Sequence, residues 1–317
     1  VFGPLTTLTL AGMGAEIIKV EALDGDNVRL AGSAVNDNMG HVFLHGNRGK
    51  QSVALHLKKP AAREALLRLL KDADVFLCNV RPAAMQRLGL GSEALQEANP
   101  RLIQVTACGY GSRGPLADRP AYDDLIQGAV GIPMLMQQHT GEAPRYVPLS
   151  IVDRVAGLHA VYAITAALYA RERTGEGQFV EVPMYEAAAH FVLADHMAGA
   201  TFEPPLGTAG YDRLLSTNRR PYRTADGHLC VLIYNDKHWR AFFTALGSPE
   251  VSSRTSAFPH NAIVREISTR SMVMSPASCC RAPQPNGSAC STRSTSRTRY
   301  PLRSRNCSTI RNWWQAG

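Results

Sequence analysis

One carboxylate, Asp153, stands at the head of the longest apolar stretch of the chain, within VPLSIVDRVAGLHAVYAITAALYARERTGEGQ from Val147 to Gln178. An acid in that place has three chemical readings: a nucleophile, a general base, or a helix cap that satisfies backbone N–H groups. Few other residues compete for chemistry. Leu10 to Ala15, LAGMGA, imitates part of a dinucleotide-binding fingerprint, but its glycines precede the strand-like EIIKV instead of following a strand. A glycine helix stop is expected there. No Walker A, HExxH or GxSxG sequence is present. Cys78, Cys108 and Cys230 lack CxxC or metal-ligand spacing, so no metal is expected, and a reducing cytoplasm is.

Those residues need elements to hold them. The pattern predicts a short helix at 4–11, a buried strand from Glu16 to Val20, and another from Val53 to Leu57. Pro60 to Leu70 reads as a helix with proline in its first turn and Leu66, Leu67, Leu69 and Leu70 on one face. Val75 to Cys78 and Leu102 to Thr106 read as short strands, and Asp124 to Leu135 as a buried helix or turn. Arg154 to Arg171 is the longest expected helix; Phe179 to Val182 is a strand and Met184 to Ala198 a helix. Beyond a loop at 204–223, a strand from Leu229 to Tyr234 meets a helix from Lys237 to Leu246 capped by Asp236. This βαβ rhythm predicts an α/β fold, a Rossmann-like parallel sheet with flanking helices, and the start of a smaller α/β domain. The expected divisions are a large domain at 1–199, a partial small domain at 200–267 and a basic irregular tail at 268–317.

With 317 residues and 45% apolar side chains, the chain can bury a large core. The apolar run from Val155 to Ala170 is shorter than the roughly 20 residues that span a bilayer, contains His159, and is flanked by Arg154 and Arg171. A buried helix is expected, not a membrane span. No signal peptide is visible, and the chain does not begin with Met.

The net charge of +8 invites a nucleic-acid reading, but its location argues against one. Residues 268–317 hold eight Arg, no Lys and no acid, so the first 267 residues carry 26 basic and 26 acidic side chains. A disordered basic tail and an RS-type RNA contact are two readings of this segment. The genetic code supplies a third. Back-translated from the third base of each codon, Asn306 to Gly317 can be read as LLDNPQLVAGG, and Gln284 to Ser296 permits AEW followed by LLDEVDIP. Both strings are acidic and amphipathic, like the body. The expectation is an out-of-frame tail, from loss of one base or gain of two around residues 266–280.

Six blocks then occur in order: AGMGAEIIKVE, NRGKQSVALHLK, ADVFLCNVRPAAMQRLGLG, NPRLIQVTACGYGSRGP, RPAYDDLIQGAVG and the Asp153 segment. Over about residues 3–247 the chain resembles the family III (CaiB/BaiF) CoA-transferases. The shifted-frame strings resemble that family's C-terminal segment.

The resemblance implies a transfer of CoA between an acyl-CoA thioester and a carboxylic acid, with coenzyme A as part of the substrate and no tightly bound cofactor. It implies that Asp153 attacks the thioester carbonyl, passing through an aspartyl anhydride and an aspartyl-CoA thioester. It further implies CoA contacts at Asn79, Arg81 and Arg87, an adenine-end contact at Leu55, and a phosphate contact at Lys58. Asp123 matches a position where formyl-CoA transferase-like members carry an active-site Glu. The implied partners are small acyl-CoA and carboxylate molecules and a second copy in an interlocked homodimer, with no nucleic acid and no membrane. Three departures narrow the reading. Tyr122 stands where the racemase branch has a His, the glycine run of the formyl-CoA transferase type is replaced by LLSTNRRPYRTADG, and Ala22 replaces a basic residue that some members carry. An α-methylacyl-CoA racemase-like enzyme and an inactive truncated relic are the alternatives.

Overall fold

The computed structural model describes residues 1–223, 226–233 and 235–245. A first compact unit takes in residues 1–220, and a second begins at Pro221. In the first unit the chain forms α1 (Phe2–Gly12), β1 (Ile18–Glu21), α2 (His41–Asn47), β2 (Gln51–Ala54), α3 (Pro60–Leu70) and β3 (Val75–Cys78). It continues through α4 (Pro82–Arg87), α5 (Ser92–Ala98), β4 (Ile103–Cys108), α6 (Asp123–Ala129), α7 (Ile132–Thr140), α8 (Ile151–Thr174), β5 (Phe179–Pro183), α9 (Met184–His196) and α10 (Asp212–Leu215). In the second unit lie β6 (Tyr222–Arg223), β7 (His228–Leu229) and α11 (Asp236–Ala245).

In the first unit the strands are parallel, as the βαβ rhythm requires, but they fall into two sheets instead of one. β1 pairs with β2, and β3, β4 and β5 pair in that order. Alternation along β3 and β4 sends successive side chains to opposite faces. Val75, Leu77, Ile103, Val105 and Ala107 pack in the core under α8 and α9. Leu102, Phe76 and Cys78 pack in a second core with Leu66, Leu70, Met85, Leu90 and Leu95 from α3, α4, α5 and the turn between them. The β3–β4–β5 sheet is therefore covered on both faces. Between β1 and β2, the Glu21 carboxylate accepts hydrogen bonds from Arg29 Nη2 (2.7 Å), Arg29 Nε (2.8 Å) and Ser52 Oγ (2.6 Å). The Arg29 contact holds the Glu21 carboxyl down at about 2.

α8 is the central helix. It starts at Ile151, three residues earlier than the apolar run predicts, and its 24 residues are long and apolar enough to cross a membrane by length and composition. Length alone therefore does not separate α8 from a membrane span. Val152, Ala156, Ala160, Ile164 and Ala167 lie in the core, one face at helical spacing. α1 crosses it at Gly157, where a Cβ would meet Leu5 and the Phe2 carbonyl at 3.2 Å. The buried Thr6 hydroxyl donates to the Gly157 carbonyl at 3.0 Å there. At the other end, Arg171 pairs with Asp74 at 2.7 Å, and Gly175 closes the helix in the left-handed region at φ 79°.

Other boundaries moved for local reasons. Gly131, at φ 83°, divides the segment read as one helix at 124–135 into α6 and α7. β2 ends at Ala54, so Leu55 to Leu57 leave the strand expected to hold them. The strand expected from Leu229 to Tyr234 is only the two-residue β7, paired antiparallel with β6, and Tyr234 lies outside the described residues. The α11 cap is Asn235, whose Oδ1 accepts the His238 N–H at 2.9 Å, and Asp236 is the first helical residue. Residues 246–317, including the expected out-of-frame tail, lie outside the described residues.

Candidate active site

Asp153 is the third residue of α8, and Ser150, the residue before that helix, makes no side-chain capping bond. The carboxyl is largely buried, 18% exposed, with Oδ2 3.5 Å from the Val1 nitrogen at the start of α1. Burial pushes it above the ordinary carboxylate range. The Phe2 amide pulls it back, and the Asp123 charge adds to the rise. The carboxyl thus faces the positive end of α1.

The capping role belongs to Asp123, at the start of α6. Its Oδ2 accepts the Asp153 backbone N–H at 2.9 Å, satisfying one of the donors that a helix start leaves open. Its Oδ1 accepts from Gln127 Nε2 at 2.7 Å. Gln127 is fully buried, and its amide also donates to the Leu149 carbonyl (3.2 Å) and accepts from Val147 N–H (3.0 Å). Tyr122 precedes α6 and is 74% exposed. Sequence reading passed over Gln127. Its signal is the four-residue spacing from Asp123, which puts both on one face of a helix.

The turn after β4 is fixed by two acids from β5 and α9. Glu181 accepts from Ser112 N–H and Ser112 Oγ, both at 3.0 Å, and Glu186 accepts from Gly111 N–H at 2.8 Å. Burial, followed by the neighbouring Glu181 charge, pushes the Cys108 thiol up to about 12, so it stays protonated and is no nucleophile.

An open cleft of about 1840 Å³ runs between the two parallel sheets. Asp153, Asp123, Tyr122, Leu55, Asn79, Arg81 and Arg87 all line it. Lys58 is exposed and stands off this wall. Asn79 and Arg81 follow the carboxyl end of β3, where open α/β sheets place their ligands. Lys50, which sequence reading also missed, lines the cleft and donates to the Pro4 carbonyl (3.0 Å), the Gly46 carbonyl (2.8 Å) and Asn47 Oδ1 (3.0 Å). Burial lowers its ammonium to about 8. Among the described residues, no group of His, Cys, Asp and Glu is arranged to hold a metal ion.

The family model described as CoA-transferase family III matches residues 1–274. The chain is 34% identical over 263 residues to "Probable fatty acyl-CoA transferase Rv3272" of Mycobacterium tuberculosis, covering 79% of this chain and 66% of that one. It is 35% identical over 260 residues to the acetyl-CoA:oxalate CoA-transferase of Acetobacter aceti, covering 79% and 64%. It therefore spans slightly less than two thirds of the length of these curated relatives. A crystal structure of Rv3272 from M. tuberculosis matches with a TM-score of 0.71 at 30% identity, over 88% of this chain and 73% of that one. A CAIB/BAIF family protein from Brucella suis matches with a TM-score of 0.71 at 27% identity, over 90% and 75%.

Proposed function

The chain belongs to CoA-transferase family III, and from that premise we propose that it transfers CoA from an acyl-CoA thioester to a carboxylic acid, with Asp153 as the attacking carboxylate. The observation that carries this reading is the place of Asp153. It is a cleft-lining acid in the first turn of α8, facing the N-terminus of α1. A carboxylate needs no base to act as a nucleophile, because it is ionised at neutral pH.

An Asp153 oxygen attacks the thioester carbonyl, the carbon–sulfur bond breaks, and CoA leaves as thiolate, giving an aspartyl–acyl anhydride. The thiolate then attacks the aspartyl carbonyl, forming an aspartyl-CoA thioester and releasing the first acid. The acceptor carboxylate attacks that thioester in turn, and the thiolate returns to the acceptor's acyl carbon, restoring Asp153. Every step exchanges carboxylate and thiolate on a carbonyl carbon, so no net proton or electron is needed. The relatives matched are named as transferases, and nothing at Tyr122 favours the racemase alternative.

Incubation with acetyl-CoA or succinyl-CoA and hydroxylamine tests the covalent step. We expect an Asp153 hydroxamate by peptide mass spectrometry, absent in Asp153→Ala. An active protein with no adduct, or an Ala variant of unchanged activity, would sink the reading. The substrates are small molecules, and we place the protein in a reducing compartment on the strength of its free thiols Cys78, Cys108 and Cys230. Exposed Leu158, Tyr162 and Tyr169 on α8 and Phe191 on α9 support pairing with a second copy, which light scattering of the purified chain would measure.

A further inference from the structure

We propose that Gln127 is a positioning residue of the site: it fixes the Asp123 carboxylate as the cap of the Asp153 amide and ties the chain that leads into α8 to the same point. This rests on the proposed role of Asp153. Gln127 does not line the cleft, so it touches no substrate. Its side chain is fully buried, yet all its polar bonds go to the machinery around Asp153: Asp123 Oδ1 (2.7 Å), the Leu149 carbonyl (3.2 Å) and the Val147 N–H (3.0 Å). Asp123 completes the relay through its other oxygen, at 2.9 Å from the Asp153 nitrogen.

Only a carboxamide fits these partners. The nitrogen must donate to an anion and to a carbonyl, while the oxygen must accept an amide N–H. A thioether of similar length supplies neither, leaving the Asp123 oxygen and the Val147 amide without these partners. An ionised carboxyl would set a second negative charge against Asp123. A protonated carboxyl is different. Its O–H can donate to Asp123 while its carbonyl accepts from Val147, so it reproduces two of the three bonds. Buried beside an acid, such a group titrates above the ordinary carboxylate range.

Gln127→Met and Gln127→Glu test this in the whole chain, with acetyl-CoA and succinyl-CoA as probes and hydroxylamine trapping as the readout. For Gln127→Met we expect adduct formation to slow on the order of 10- to 100-fold, the cost of a misplaced reacting group, with KM for the thioester unchanged. For Gln127→Glu we expect the rate relative to wild type to rise as pH falls, because protonation restores the donor. Thermal melts at each pH separate this from loss of fold. Should Gln127→Met fail to fold, the pH trend of Gln127→Glu decides. A folded Gln127→Met that traps adduct at the wild-type rate, or a relative rate for Gln127→Glu that is flat with pH, overturns the proposal. Absence of adduct in the wild type overturns it together with the reading of Asp153, whereas adduct in wild type and in both variants alike overturns the role of Gln127 alone.

Discussion

The two acids of the site differ in what surrounds them, and the difference sets their duties. Asp123 is held by two donors, one to each oxygen, which turn it toward α8. Asp153 has its carboxyl free for the cleft, raised by burial and by the Asp123 charge. Removing that charge must lower the Asp153 carboxyl. For Asp123→Asn we expect the acid limb of adduct formation to move to lower pH, with a stability loss of about 1 kcal/mol for the weakened cap. Trapping rates from pH 4 to 8 and urea midpoints check the two parts. A third acid, Glu21, gives a stability test. Glu21 titrates at about 2 in the folded chain, below its ordinary 4.5, so it binds its proton less readily than when unfolded. Its contribution is fully present above that ordinary value and is lost as pH falls through the folded one. The difference in urea midpoint between wild type and Glu21→Gln should therefore shrink steadily from pH 5 to 2. Asp153 and Asp123 are visible in the sequence as acids in marked places. Gln127 and Lys50 are less so, because part of what holds them is remote in the chain: Val147 and Leu149 for Gln127, and Pro4 for Lys50.

Elements were legible where local pattern and tertiary burial agree. Pro60–Leu70 and Val75–Cys78 fall as read, since proline opens the helix and alternate residues of the strand meet helices on both faces. The start of α8 was less legible, because Ile151 and Val152 follow a proline-containing segment, and the acid that closes the helix start comes from α6, thirty residues away. The turn after β4 depends on a similar long-range fit. A Cβ on Gly109 would collide with the Cβ of Ala121, one residue before Tyr122 and two before Asp123. For Gly109→Ala we expect a loss of about 1–3 kcal/mol from overpacking, and a fall in adduct formation as Asp123 is pushed from its place. The remaining neighbours of that Cβ, at 3.5 and 3.7 Å, are ordinary contacts. Gly109→Ala combined with Ala121→Gly should therefore recover most of both losses, and a double variant no better than the single one would show that the close approach is not the cause.

At the scale of the whole first unit, the two parallel sheets leave a cleft that gathers an acid at one place and cations at another. Its volume of about 1840 Å³ exceeds the range of a drug-sized ligand, room enough for a nucleotide, an extended arm and an acyl group. The sequence indicated a parallel α/β fold but not this gap, because the division into two sheets depends on which strand edges meet, not on any local pattern. Arg81 and Arg87 both border it, and neither forms an ion pair among the described residues. An exposed guanidinium with no carboxylate partner is free to bind a phosphate through two parallel hydrogen bonds. For Arg81→Ala we expect KM for acyl-CoA to rise by on the order of 10-fold, the worth of one charge-assisted hydrogen bond, while the rate of adduct formation at saturation stays the same. Because the lost contact is electrostatic and near solvent, the wild-type KM should rise with added salt more steeply than that of the variant. Arg87→Ala should act in the same direction. A KM unmoved by either substitution at low salt would separate these cations from the substrate and leave the cleft's phosphate contacts to Lys19, Lys50, Arg68 or Arg119, the other basic side chains on its wall.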